Sequence, residues 1–114
     1  MIQYSLDLDG KQPVKKNFGE CGRANCCIML RDGRLYTCTF PAYAHLFNEC
    51  FGERLPVADE DSIDIYRAKD AREVMNFLSR PIPFCRFCRV SEWTDGHKWR
   101  VSEGKMEEWA ARTR

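Results

Sequence analysis

The sequence predicts a small α+β domain with a β-hairpin and two or three helices. Two short strand-like runs flank Asp32-Gly33, a dipeptide typical of tight hairpin turns. Apolar residues at helical spacing follow an acidic cap at Asp70. The chain has 114 residues, close to the commonest size of one domain, so residues 1–114 are expected to form a single unit.

The first half of the chain is expected to contain three strands. Apolar and polar residues alternate over residues 2–9, which is the period of a half-buried strand. Residues 11–17 are expected to form a loop. Strands over residues 26–31 and 34–39 are then joined by a type I′ turn.

A short helix is predicted after the hairpin, from Pro41 to about Phe51. Proline suits the first turn of a helix, and Gly52 is a typical terminator. The polar stretch 53–61 is expected to be a surface loop, and residues 63–66 a brief extended segment.

Two further helices are expected in the second half. Asp70 precedes Glu73 by three residues, as in a capping box, and the helix that follows is stopped by Pro81. Ser102 is a candidate cap for a final helix that runs to about Arg112.

Charge and hydropathy exclude several classes of protein. Eighteen basic and seventeen acidic side chains nearly cancel, so there is no general electrostatic reason to expect nucleic acid or an anionic membrane as partner. No apolar run approaches 18 residues, and the N-terminus lacks the pattern of a secretory signal. We therefore expect a cytoplasmic protein without a membrane partner.

Seven cysteines are unusual for such a chain. In a reducing compartment disulfides are disfavoured, and clustered cysteines more often bind metal or take part in catalysis. Cys85-Arg-Phe-Cys88 is the strongest local signal, because this spacing lets both thiolates of one tight turn bind the same ion. A dithiol redox site has the same spacing, but it needs a thioredoxin-like context that is missing around Pro-Ile-Pro.

Two further ligands must come from elsewhere in the chain. Cys38 ends the second hairpin strand, and Cys21 lies before the hairpin. Hairpin geometry makes Cys27 a rival of Cys21, because a two-residue loop would place it opposite Cys38 at about 5 Å. Cys26 and Cys50 are expected to be packing residues.

Charged residues near the cysteines have open roles. Arg23, Arg86 and Arg89 could offset the negative charge of a thiolate site and tune its potential, or they could be solvated surface residues. His45 and His97 could complete a zinc site, but their distance in sequence from most of the cysteines favours surface or core positions.

Two other groups of residues are expected to be structural. Phe84, Phe87, Trp93 and Trp99 interleave with basic residues, and we expect them to pack over the metal site rather than to stack on bases. The acidic stretch 59–64 lacks the spacing of a calcium loop and is expected to be solvated.

The complete pattern is Cys21, eleven residues, Gly33, four residues, Cys38, a gap, and then Cys85-x2-Cys88. It resembles the C-terminal SPASM/twitch domain of radical S-adenosylmethionine enzymes, in which the turn lies between a strand and a second strand that ends in cysteine. The resemblance covers residues 21–88. It implies that these four cysteines are the ligands of one auxiliary iron–sulfur cluster, of the 4Fe–4S type.

The resemblance also favours Cys21 over Cys27, and it carries two departures. No cysteine follows Cys88, as in the short twitch form with one cluster. The Cys-x3-Cys-x2-Cys motif that binds the catalytic cluster and S-adenosylmethionine is absent, so this chain is not expected to generate a radical by itself. The resemblance implies an accessory domain, the C-terminal part of a longer oxidoreductase or a separately encoded partner of its catalytic domain. Its role would be to position a substrate, such as a peptide, or to relay an electron.

A second hypothesis is a structural zinc module that mediates protein–protein contacts. Four thiolates suit tetrahedral zinc and iron–sulfur clusters alike, so the sequence leaves both open. Zinc is also expected to occupy the site in an isolated domain prepared in air.

Overall fold

A computed structural model describes residues 1–112, which contain three α-helices and five short β-strands in an α+β arrangement. The helices are α1 (Val14–Glu20), α2 (Thr39–Phe51) and α3 (Ala71–Leu78). The strands are β1 (Leu6–Asp7), β2 (Met29–Arg31), β3 (Arg34–Tyr36), β4 (Ser62–Asp64) and β5 (Ala110–Ala111). Single turns of 3-10 helix connect several of these elements.

The predicted hairpin is confirmed around its Asp-Gly turn. Asp32 and Gly33 have φ angles of 51° and 74°, and a type I′ turn requires positive φ at both central positions. Strands β2 and β3 pair antiparallel, and β4 adds to β3 as the third strand of the sheet. The extended segment predicted over residues 63–66 is therefore confirmed only at its start, because Ile65 and Tyr66 lie in the turn after β4.

The hairpin strands are shorter than predicted. The ladder ends at the pair Met29–Tyr36, because the chain before it turns away. Asn25 adopts the left-handed conformation, with φ 62°, and its amide donates to the Thr37 carbonyl at 3.2 Å. The pairing that would place residue 27 directly opposite residue 38 therefore does not form.

Two predicted helices are confirmed with their caps. Helix α2 begins two residues before Pro41 and ends at Gly52, whose left-handed φ of 64° suits glycine. Helix α3 begins after Asp70, whose carboxylate accepts the amide of Glu73 at 3.0 Å. In both cases the residues that end or start the helix are local and visible in the sequence.

The interpretation of residues 11–17 as a loop was wrong, since α1 covers most of them. The final helix predicted after Ser102 was wrong as well. There the carboxylate of Glu108 accepts the Ser102 hydroxyl and the amides of Glu103 and Lys105, so the chain wraps around one side chain. Only one turn of 3-10 helix forms before β5.

The predicted N-terminal strand is reduced to β1. It pairs in parallel with β5 near the other end of the chain, with Leu6 opposite Ala110. The amide of Gln3 also donates to the Thr94 carbonyl at 2.7 Å. The hydrogen-bond partners of this segment are thus distant in sequence, which alternation alone does not reveal.

The core forms where β1, α2 and the segment around Phe84 meet. Its buried residues are Leu6, Leu8, Ala44, Leu55, Ile82, Phe84, Phe87, Cys88 and Ala110. The Cys-x2-Cys segment is therefore built into the core. Within the described residues, no helix has the length and apolar character needed to cross a bilayer.

Candidate metal centre

The Cys85–Cys88 motif lies on a tight, hydrogen-bonded segment. A turn of 3-10 helix spans Pro83–Phe87. The amide of Cys85 donates to the Ile82 carbonyl at 3.0 Å, and the amide of Cys88 donates to the Cys85 carbonyl at 3.3 Å. Cys88 is buried and Cys85 is half-buried, so the backbone of this motif has little freedom.

Helix α1 fixes this segment from outside the motif. The side-chain amide of Asn17 donates to the Cys85 carbonyl at 2.9 Å and also to the Cys88 carbonyl. Asn17 is only 4% exposed, and the amide of Gln12 satisfies the carbonyl of Arg86 at 3.1 Å. Sequence reasoning missed Asn17, and no local signal marks it, because its partners lie about 70 residues away.

A buried carboxylate holds the start of the same segment. Asp61 is 1% exposed, and its two oxygens accept the amides of Phe84 and Ala58, both at 2.7 Å. Burial raises the pKa of Asp61, although the two N–H donors act in the opposite direction. The interpretation of residues 59–64 as a solvated loop was therefore wrong at Asp61, while Asp59 and Glu60 are exposed.

The other two predicted ligands lie at helix ends. Cys38 precedes the first residue of α2, and the Phe40 amide lowers the pKa of its thiol against the larger effect of burial, although the thiol makes no side-chain cap hydrogen bond. A helix N-terminus favours a thiolate at this position. Cys21 follows the last residue of α1, and its amide donates to the Phe18 carbonyl at 3.4 Å. Both side chains are half-buried.

Three of the four thiols have a raised pKa, and in each case other members of the group contribute to the shift. The pKa of Cys38 is raised to about 12, mainly by burial, with smaller contributions from Cys21 and Cys85. Burial likewise raises the pKa of Cys85, with a contribution from Cys21. The pKa of Cys88 is raised by burial and by all three of the others. Every pair among the four therefore interacts.

These thiols are neighbours rather than a preformed set of ligands. Across residues 1–112, no three His, Cys, Asp or Glu side chains are arranged to hold a metal ion. Metal ligation by Cys21, Cys38, Cys85 and Cys88 stays a prediction.

The remaining cysteines lie elsewhere. Cys26 and Cys50 are exposed, so the expectation that both are packing residues was wrong. Cys26 lies in a surface turn, and Cys50 lies on the solvent side of α2. Cys27 is half-buried in the bend before β2, and it contributes to the raised pKa of Arg23.

The three arginines beside the motifs have different surroundings. The charge of Arg23 lowers the pKa of both Cys38 and Cys88, against the larger effect of burial. The guanidinium of Arg86 lies 4.6 Å from the ring centroid of Phe87. Arg89 forms an ion pair with Glu92 and donates to the carbonyl of Arg112.

The histidines and tryptophans lie in other contacts. His45 contacts the guanidinium of Arg31 at 3.3–3.4 Å, and His97 lies 2.6 Å from the hydroxyl of Thr94. Trp93 is packed against the core that contains Phe84 and Phe87. Trp99 is 77% exposed, so the expectation that it packs over the site was wrong.

Comparison with known proteins gives no relative from which a function could be transferred. No family model matches the chain, and no curated protein or solved structure is significantly similar to it. A function must therefore be inferred from the chain's own residues.

Proposed function

We propose that this chain is an iron–sulfur cluster-binding accessory domain of a radical S-adenosylmethionine enzyme, with Cys21, Cys38, Cys85 and Cys88 as ligands. The observation that carries the proposal is the proximity of these four thiols, which come from three separate segments of the chain. The class of enzyme comes from the motif resemblance alone.

The surroundings of Cys38 favour a metal site over a cluster of packing cysteines. Burial and like-charged neighbours disfavour the thiolate, yet the Phe40 amide and the Arg23 charge both act to stabilise it. Cysteines that only pack against their neighbours would need neither this amide nor this positive charge. A bound metal displaces the thiol protons and replaces repulsion between thiolates by coordination.

The donor set also fits the group. Four sulfur ligands are the usual set for both iron–sulfur clusters and zinc. The buried Nε of Arg23 has no acceptor within the described residues, and the charge of Arg23 lowers the pKa of Cys38, one of the proposed ligands. Hydrogen bonds and charges around the sulfurs are the means by which proteins tune such a cluster.

The bound cluster and the chain's own residues would have different roles. When bound, a cluster supplies one-electron chemistry or a place for substrate. The four cysteines hold it, and Asn17 fixes the backbone of the turn that carries two of them. The buried rings beside that turn limit the access of water. Radical generation belongs to a catalytic domain, because the required cysteine motif is missing here.

The second candidate is a structural zinc module. The hydrogen bond from the Cys88 amide to the Cys85 carbonyl gives these residues the tight turn that zinc ligands also use. In that case the metal would only hold α1, α2 and the Cys85–Cys88 segment together.

Anaerobic reconstitution with iron and sulfide tests the proposal. We expect iron and labile sulfide in equal, stoichiometric amounts, with an absorption spectrum that bleaches on reduction. One zinc per chain without labile sulfide under these conditions would support the zinc module instead. A reduced, folded chain that takes up neither metal would refute both functions.

Single alanine variants identify the ligands. We expect Cys21→Ala, Cys38→Ala, Cys85→Ala and Cys88→Ala to lose most of the bound metal. The matched control is Cys50→Ala, which removes an exposed thiol from α2 and should keep full metal content. The variant Cys27→Ala should also keep it. Loss of metal in Cys27→Ala but not in Cys21→Ala would reverse our assignment of the fourth ligand.

A further inference from the structure

A cavity of about 270 Å³ lies where three distant segments of the chain meet. Its lining residues lie between positions 2 and 4, 20 and 23, and 90 and 95. Those of the middle segment are Glu20, Gly22 and Arg23. Cavities that hold drug-sized ligands usually have roughly 300–1,000 Å³, so this one suits a molecule of the size of an amino acid.

Contacts between these segments hold the walls of the cavity in place. Gln3 and Thr94 exchange backbone hydrogen bonds in both directions, at 2.7 and 3.3 Å. The indole Nε1 of Trp93 donates to the Ser5 carbonyl at 3.0 Å. The ring of Trp93 packs edge to face against that of Tyr4, with the centroids 4.8 Å apart. The cavity is therefore preformed, which reduces the entropy that a ligand must lose on binding.

One side of the cavity carries the guanidinium of Arg23. Its central carbon lies 4.7 Å from the ring centroid of Tyr4 and 5.1 Å from that of Phe40, and Nη2 donates to the Thr39 hydroxyl at 2.9 Å. No Asp or Glu side chain within residues 1–112 forms an ion pair with this cation. A guanidinium has several N–H donors, so donors in a fixed position remain for a carboxylate.

The lining also carries an anion without an ionic partner. Glu20 is exposed, and it forms no ion pair with Arg23 or with any other residue that the structure describes. The second acidic residue of the lining, Asp95, accepts the amide of Gly96 at 2.7 Å and pairs with the amino group of Met1 at 3.5 Å. The cavity therefore offers one positive and one negative group that are not paired with other charges.

We propose that this cavity binds a free α-amino acid with an apolar side chain, whose carboxylate contacts Arg23 and whose ammonium group contacts Glu20. Such a molecule carries both charges at neutral pH, and each would meet the opposite charge in the lining. Tyr4, Val90 and Trp93 supply the apolar surface for its side chain. A ligand with only one of the two charges leaves one group unpaired and brings a like charge towards the other. Binding here requires no metal at the four cysteines.

An NMR titration of the reduced, full-length chain with L-phenylalanine tests this site. The reporter is the indole N–H of Trp93, whose signal is identified by its absence in Trp93→Phe. We expect this signal to shift to saturation as L-phenylalanine is added. 3-Phenylpropanoate lacks the ammonium group and should bind about threefold more weakly. 2-Phenylethylamine lacks the carboxylate and should bind about tenfold more weakly, because a hydrogen bond to a charged group contributes more than an exposed ion pair.

Two variants assign the charges to their partners. Arg23→Gln should weaken the binding of L-phenylalanine about tenfold. Glu20→Gln should weaken it about threefold, and this variant should bind L-phenylalanine and 3-phenylpropanoate equally well. The matched control is Glu49→Gln, which changes an exposed carboxylate of α2 outside the cavity and should keep the affinity of the wild type.

Several results would overturn the proposal. One is the absence of a saturable shift up to about 10 mM L-phenylalanine, which means an affinity weaker than millimolar. Others are equal affinities of the wild type for the three ligands, and wild-type affinity in both variants. If Arg23→Gln does not fold, Glu20→Gln decides alone from its exposed position. Equal binding of L-phenylalanine and 3-phenylpropanoate then supports the proposal, and an undiminished preference for L-phenylalanine overturns it.

Discussion

The substitution Asn17→Ala should destabilise the domain far more than an ordinary surface change. It removes both side-chain hydrogen bonds to the carbonyls of Cys85 and Cys88, at a site where Asn17 is 4% exposed. Each bond contributes about 1 kcal/mol, and a carbonyl left buried without a donor costs more. Against this, alanine gains about 0.5 kcal/mol in a helix. The expected net loss in the free energy of unfolding is about 2–3 kcal/mol.

Urea unfolding of the reduced chain, at one fixed metal content, measures this loss. For a small domain it corresponds to a decrease of about 1–2 M in the unfolding midpoint. The matched control is Asn76→Ala, which makes the same change at an exposed position within α3. We expect that variant to be as stable as the wild type or slightly more stable. Equal midpoints for the two variants would refute the idea that the hydrogen bonds of Asn17 stabilise the Cys85–Cys88 segment.

Two further predictions concern buried charge and backbone conformation. Because burial raises the pKa of Asp61 above 3.8, the folded chain binds its proton more tightly than the unfolded chain, and stability from this group falls as pH rises through the raised value. Asp61→Asn should lack this dependence, and parallel stability–pH curves for the two proteins would contradict it. Gly52→Ala should lower the free energy of unfolding by about 1–2 kcal/mol, because the left-handed φ of 64° is strained for alanine. A steric clash is not the cause, since no heavy atom lies within 4 Å of the added Cβ. Gly19→Ala, within α1 and also in open space, should instead gain about 0.5–1 kcal/mol; thermal unfolding measures both, and equal shifts would refute the backbone argument.

Elements with local signals could be predicted from the sequence. The Asp32-Gly33 turn, the end of α2 at Gly52 and the cap of α3 at Asp70 each depend on residues within a few positions. Their hydrogen bonds close over short loops, so neighbouring residues are sufficient to specify them.

The errors lie where distant residues decide the structure. Helix α1 has no acidic cap, and its buried Asn17 is explained only by carbonyls near the other end of the chain. The short strand β1 depends on Ala110, and the expected final helix is lost to the loop around Glu108. Patterns within a window of ten residues contain no information about such partners.

The candidate site likewise has features that local sequence specifies and features that depend on distant residues. The Cys85–Cys88 spacing is local and was visible, whereas the choice between Cys21 and Cys27 depended on where the hairpin ladder ends. The turn at Asn25 ends it early, which removes the cross-strand argument for Cys27. Neither Asn17 nor the burial of Asp61 could have been found without the fold.

The pairing of β1 with β5 has a consequence for the order of assembly during synthesis. Leu6 is made before its partner Ala110, which follows 104 positions later. At roughly 5–20 residues per second, the ribosome needs about 5–20 s to deliver that partner. During this interval β1 is an unpaired strand, and Cys21 and Cys38 are translated well before Cys88. The nascent chain therefore depends on its surroundings to keep these thiols reduced until the last strand closes the core.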